Sequence, residues 1–158
     1  MTSYLLTLKI IHILGATVLF GTGLGIAFFM WMANRTRDAA IIAHTASIVV
    51  IANVVFTATA AILQPVSGAF LALAIGYSLW ESWIAMSLAL YVLVGACWLP
   101  VVWIQARMRN LAHAAVQAGT GLPARYHRLF RIWFALGWSA FAGVVAIFVL
   151  MIMKPVLW

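Results

Sequence analysis

Acidic side chains are almost missing from this chain: Asp38 and Glu81 are the only two in 158 residues, against nine Lys and Arg, and charged residues of all kinds make up 7%. A soluble domain carries about a quarter charged residues, so with 67% hydrophobic residues and a mean hydropathy of +1.14 water is not the main solvent here. Cysteine is reduced to Cys97, which excludes an intramolecular disulfide and any metal site built on several thiolates. Internal repeats, low-complexity tracts and linkers are missing too, so residues 1–158 read as one integral-membrane domain. Short segments of alternating polarity, the mark of a membrane β-barrel strand, do not occur.

The sequence contains instead unbroken apolar runs near Tyr4 to Met32, Ala39 to Leu63, Trp80 to Gln105 and Arg128 to Met153. Each is long enough for the roughly 20 helical residues that a hydrocarbon core of about 30 Å requires. In lipid every backbone polar group needs an internal partner, so such runs predict helices. The expected fold is all-α: an antiparallel bundle of four transmembrane helices, near 4–32, 39–63, 80–118 and 125–153. The third helix continues past the membrane through the Ala- and Leu-rich stretch Arg107 to Ala118, until Gly119, Gly121 and Pro123 break it. The first run is expected to stay in the mature protein, being long, free of a small-residue cleavage site and followed by Arg35 and Arg37. Pro65 is expected to end or kink the second helix, with residues 69–75 as a short helix at the outer surface.

Charge predicts the orientation. Arg35, Arg37, Arg107, Arg109, Arg125, Arg128 and Arg131 all lie on the side of the connections after the first and third spans, while the other side holds only Lys9 and Lys154. Positive flanks stay cytoplasmic, which sends both termini and the middle loop outward across a bacterial cytoplasmic (inner) membrane. The arginines hug span ends and so suit anionic lipid head groups; no soluble basic face for nucleic acid is present. Trp80, Trp83, Trp103, Trp133 and Trp158 fit an interfacial aromatic belt. Glu81, opening the third span, is expected near Lys9 or Lys154.

Helices in lipid are held by close approach at small residues and by polar side chains with partners. Small residues mark stripes at Gly15, Ala16, Thr22 and Gly23, with Gly21 and Gly25 in GxxxG spacing, and at Ala135, Ser139, Ala142, Gly143 and Ala146. Each stripe suits packing within the bundle or a homodimer face. Asn53, Thr57 and Gln64 lie within about 40° of one another at about 100° per residue, an inward polar stripe. Ser87, Tyr91 and Trp98 form a comparable one, and Tyr91, at about the depth of Asn53, is its expected partner. Either stripe serves as glue between helices or lines a ligand or proton path. Among the histidines, His113 and His127 belong to wet or interfacial regions and His44 to the inner end of the second span. His12 points inward beside Gly15, Ala16 and Gly23, three residues from Lys9. A buried imidazole there is a hydrogen-bonded core residue, a proton carrier or a metal ligand.

The runs Leu8-Lys9-Ile10-Ile11-His12-Ile13-Leu14-Gly15-Ala16, Phe20-Gly21-Thr22-Gly23, Gln64-Pro65-Val66-Ser67-Gly68, Ala96-Cys97-Trp98-Leu99-Pro100 through Gln105-Ala106-Arg107-Met108-Arg109, and Trp133-Phe134-Ala135-Leu136-Gly137-Trp138 resemble a bacterial integral-membrane family called domain of unknown function 2269. That resemblance covers nearly the whole chain and implies a membrane fold without naming an activity. More distantly, Leu8, Lys9 and His12 resemble the first-helix L-K-x-x-H of HemJ-type protoporphyrinogen oxidases and CopD-like proteins; in the HemJ type the matching histidine is associated with b-type haem. The resemblance implies His12 as a haem-iron ligand; by spacing Lys9 is near enough to pair with a propionate, and by depth Met86 or Met151 suits a second axial ligand, so His/Met or five-coordinate ligation is expected over bis-His. His44 lies roughly 20 Å away by helix rise and cannot readily serve. The leading expectation is thus a haem-binding membrane protein with an electron-transfer or oxidoreductase role. A non-catalytic accessory or scaffold subunit of a larger complex is the alternative. A small-molecule or proton transporter ranks last, since no acidic residue lies at mid-membrane and no inverted repeat is evident.

Overall fold

The computed structural model describes residues 2–158, and among these no strand occurs. Helix α1 runs Thr2–Thr36 and α2 Ala39–Ala52; a π-helical turn, Asn53–Ala58, leads into α3, Thr59–Ile75. Helix α4 follows at Ser82–Gln117 and α5 at Ala124–Met153. Because α2, the π turn and α3 join without a gap they form one rod, so four helices are long and apolar enough to cross a membrane: Ser3–Thr36, Ala39–Ile75, Ser82–Gln117 and Ala124–Met153. At 1.5 Å per residue each spans about 45–55 Å, so their ends stand in the head-group layers or beyond a core of about 30 Å.

Local chemistry explains the ends. Arg37 takes a left-handed backbone (φ 58), and Asp38 then caps α2, its carboxylate accepting from the Ala40 N–H at 2.7 Å and the Ile41 N–H at 3.2 Å. One of the chain's two carboxylates is therefore consumed by a helix terminus. At the other end of the rod Gly76 (φ 94) lets the chain turn back, with the Tyr77 N–H on the Ala72 carbonyl at 2.9 Å and the Gly76 N–H on Leu73 at 3.1 Å.

Pro65 neither ends nor separates the second span, contrary to the sequence expectation: α3 runs through it to Ile75, and residues 69–75 belong to that same rod. A proline removes the N–H that would reach the carbonyl four residues back, here Ala61. The Tyr91 hydroxyl of α4 donates to that carbonyl instead. Membrane helices tolerate proline through such borrowed partners and local π adjustments, and both devices occur in this rod.

Helix α1 lies along α2, the π turn and α3, and α4 lies along α5; α2 joins the two pairs through α4. Phe20 bridges α1 to α5, 5.3 Å from Phe141 and 5.5 Å from Phe148 between ring centroids. The main core, including Met30, Ile42, Ala46, Ile104, Met108, Tyr126 and Trp133, fills the arginine end, where α4 and α5 extend together. A smaller cluster of Ala72, Trp83 and Ile84, with Met151 against it, closes the opposite end. Two tryptophans assigned to the belt thus turn inward, Trp83 and Trp133, because each finds a neighbouring helix to pack on. Trp31 and Trp103 remain at the surface under Arg35 and Arg107, whose guanidinium carbons stand 5.1 and 5.2 Å over the rings. The small-residue stripes divide as well. A side chain at Gly15 or Gly143 would collide with Gln64 or Val94 and one at Gly68 would press on the His12 ring, whereas Gly21, Gly23 and Gly25 have nothing within 4 Å.

Candidate functional site

The rod formed by α2, the π turn and α3 keeps its polar side chains on the bundle side: Asn53, Thr57, Gln64 and Ser67 are all buried, and His44 is exposed. They sort into two clusters at different depths.

The deeper cluster binds the start of the π turn to α4. Asn53 Nδ2 donates to Gln105 Oε1 at 2.5 Å, and Trp98 Nε1 donates to Asn53 Oδ1 at 3.1 Å. The partner expected from depth was Tyr91, and that pairing does not occur. Tyr91 meets Ala61, eight residues farther along the rod and about 12 Å nearer the terminal end by helix rise. Neither Thr57 Oγ1 nor Gln105 Nε2, both buried, has a hydrogen-bond partner. Gln105 escaped the sequence reading because it stands at the edge of its apolar run. The available signal was its spacing, seven residues after Trp98 and fourteen after Tyr91, which places all three on one helix face.

The second cluster lies toward the termini, between α1 and α3. Gln64 Nε2 donates to the His12 carbonyl at 2.9 Å, across Gly15, whose missing side chain leaves room for the carboxamide. The His12 ring lies on Gly68, where a Cβ would stand 3.0 Å from Cε1, and its Nδ1 is 2.9 Å from Ser67 Oγ. The Ser67 hydroxyl donates to the Leu63 carbonyl at 2.7 Å. A hydroxyl that keeps its proton on Leu63 accepts from His12 Nδ1–H, the arrangement that leaves Nε2 its lone pair. Ser67 was read in the sequence only as a break; its place three residues after Gln64 on the same face was the signal for it.

Of the other residues expected beside His12, Lys9 is exposed one turn earlier on α1. Met86 is exposed on α4, a helix that does not pack along α1, and Met151 packs into the terminal cluster with Trp83. The structure brings His12 together with Gln64, Ser67, Gly15 and Gly68, and not with either methionine. Among the described residues no three His, Cys, Asp or Glu side chains gather as a metal site. At the arginine end His113 Nε2 lies 2.9 Å from Ser47 Oγ, a link between α2 and the α4 extension.

Glu81 and Lys154 line one cleft at the terminal end, where the ammonium stands over the rings of Tyr77 and Trp83 at 5.0 and 5.5 Å. No curated protein and no solved structure shows a significant match to the chain. The model of a family described as a predicted integral membrane protein, domain of unknown function 2269, matches residues 6–155, which is nearly the whole length, and the chain belongs to that family.

Proposed function

We propose that this protein sits in a bacterial cytoplasmic membrane with both termini outward and its arginine loops inside, and that His12 is the axial ligand of a b-type haem in an electron-transfer or oxidoreductase role. The single observation that carries the proposal is the contact of His12 Nδ1 with Ser67 Oγ at 2.9 Å, which leaves Nε2 as the ring nitrogen without a protein partner among the described residues. An imidazole that ligates iron donates its other ring N–H to a fixed acceptor, which sets the ring's orientation and raises its basicity. His12 is placed to do this through Ser67, itself tied to the Leu63 carbonyl. Gly68 gives the ring its seat and Gln64 holds the backbone of the same residue. Lys9, one turn away and exposed, supplies a cation for a propionate. With Met86 and Met151 held elsewhere, the residues present fit a single protein ligand better than a His/Met pair. A haem bound there supplies one-electron redox chemistry; the chain's part is to hold Nε2 unprotonated and the ring still.

One observation favours the accessory-subunit reading. His12, Ser67 and Gln64 already tie α1 to α3 through a closed set of hydrogen bonds, which is enough to account for them as glue. Oxidised and reduced spectra of protein purified from haem-replete cells separate the two. The haem reading expects a Soret band in the wild type that is lost or shifted in His12→Ala. A monodisperse wild type without the band, or a variant with the same band, removes His12 from iron ligation.

A further inference from the structure

The end of the bundle that carries the chain's termini holds a cleft of about 470 Å³ between the α3–α4 turn and the segment after α5. Its construction is specific. Lys154 adopts a left-handed backbone (φ 45, ψ 52), uncommon for a residue with a side chain, and so folds the last residues back over the start of α4. Ser82 pins them there: its hydroxyl donates to the Pro155 carbonyl at 3.2 Å and accepts from the Leu157 N–H at 3.0 Å. Tyr77, Trp80, Trp83 and Trp158 wall the cleft, and Glu81 and Lys154 supply its charges. The Lys154 ammonium donates to the Tyr77 hydroxyl at 3.5 Å, and two of its three N–H groups are left for another acceptor.

Glu81 is the informative member. It stands at the N-cap of α4, yet its carboxylate makes no cap hydrogen bond, whereas Asp38, the only other acid in the chain, is bound to the N-terminus of α2. Of the two carboxylates, the one left uncommitted by its helix faces an aromatic-walled cleft that also contains a lysine. Trp80 and Trp158 are 85% and 70% exposed, as suits rings standing among lipid head groups.

We propose that this cleft binds the head group of a zwitterionic phospholipid with a protonated amine: the phosphate on Lys154, which already covers Tyr77 and Trp83, and the ammonium on Glu81 beside Trp80 and Trp158. The charges match as a pair. An anionic lipid offers Lys154 a phosphate but gives Glu81 no cation, and the sites that suit such lipids are the arginines at the opposite end. Phosphate is also the chemistry of the free anion, so the test keeps the sources apart.

Detergent-purified full-length protein is titrated calorimetrically with short-chain phosphatidylethanolamine, short-chain phosphatidylglycerol and inorganic phosphate. Phosphatidylethanolamine is expected to bind about tenfold more tightly than phosphatidylglycerol, the combined scale of one exposed ion pair and one cation–π contact. Glu81→Gln is expected to bring that ratio close to one, and Lys154→Met to weaken both lipids by a similar factor. Equal wild-type affinities for the two lipids, an unchanged ratio in Glu81→Gln, or inorganic phosphate binding as well as phosphatidylethanolamine each overturn the assignment. The wild-type comparison decides the matter even if a variant fails to fold.

Discussion

Replacing Asn53 by Ala removes the donor to Gln105 and the acceptor from Trp98 in one step. Gln105 Nε2 is already without a partner, so the substitution leaves the whole buried carboxamide unpaired and the indole N–H with it. An interhelical hydrogen bond in a membrane is worth about 0.6 kcal/mol on average and up to about 1.7, and each stranded buried group costs about 1–3 kcal/mol. Asn53→Ala is therefore expected to destabilise the bundle by about 2–4 kcal/mol. Gln105→Leu is close in size, removes the orphaned Nε2 and leaves only Asn53 Nδ2 unpaired; its expected cost is about 1–2 kcal/mol. In the double variant no stranded carboxamide is left at position 105, so its cost should fall short of the sum of the two single costs by about 1–2 kcal/mol. Reversible unfolding in mixed micelles at fixed detergent composition gives all four free energies. Additivity within about 0.3–0.5 kcal/mol, the agreement found for independent sites, would refute the coupling and with it the deeper cluster as a bonded unit.

Gly68→Ala places a Cβ 3.0 Å from the His12 ring and is expected to cost about 1–3 kcal/mol by overpacking, whereas Gly21→Ala, with nothing within 4 Å, should be neutral or slightly stabilising in the same unfolding assay. Tyr91→Phe leaves the Ala61 carbonyl without its donor and should cost about 1 kcal/mol in the wild type but almost nothing in Pro65→Ala, where a helical N–H returns to that carbonyl. Equal costs in both backgrounds would break the link drawn between Pro65 and Tyr91. For orientation, reporter fusions at Thr120 and Trp158 are expected to be active on the cytoplasmic and the outer side respectively; a Trp158 fusion active only in the cytoplasm reverses the topology.

Much of the site was legible because a polar side chain in an apolar run has few ways to be satisfied. Asn53, Thr57 and Gln64 read as inward from spacing alone, and so did His12 beside Gly15. Their partners did not. Depth reckoned from span ends assumes that helices start level, and a rod with a π turn that continues to Ile75 breaks that assumption, so Asn53 meets Gln105 and Trp98 while Tyr91 meets Ala61. The helix continues through Pro65 for a related reason. The rule that proline stops a helix holds when the freed carbonyl has no other donor, and the donor here comes from thirty residues away in the chain.

By itself the sequence determined the number of spans, their helical form and the end of the bundle on which the arginines gather. These follow from run length, from the need of every backbone group for an internal partner, and from charge at the flanks, all of which are local quantities. Only the tertiary structure decided which glycines are close contacts and which stand open, and which tryptophans turn inward. It also decided that His12 Nδ1 meets the Ser67 hydroxyl, which in turn reaches the Leu63 carbonyl. Those outcomes depend on the rotation and axial offset of one helix against another, which side-chain packing sets jointly across the bundle and no single segment encodes.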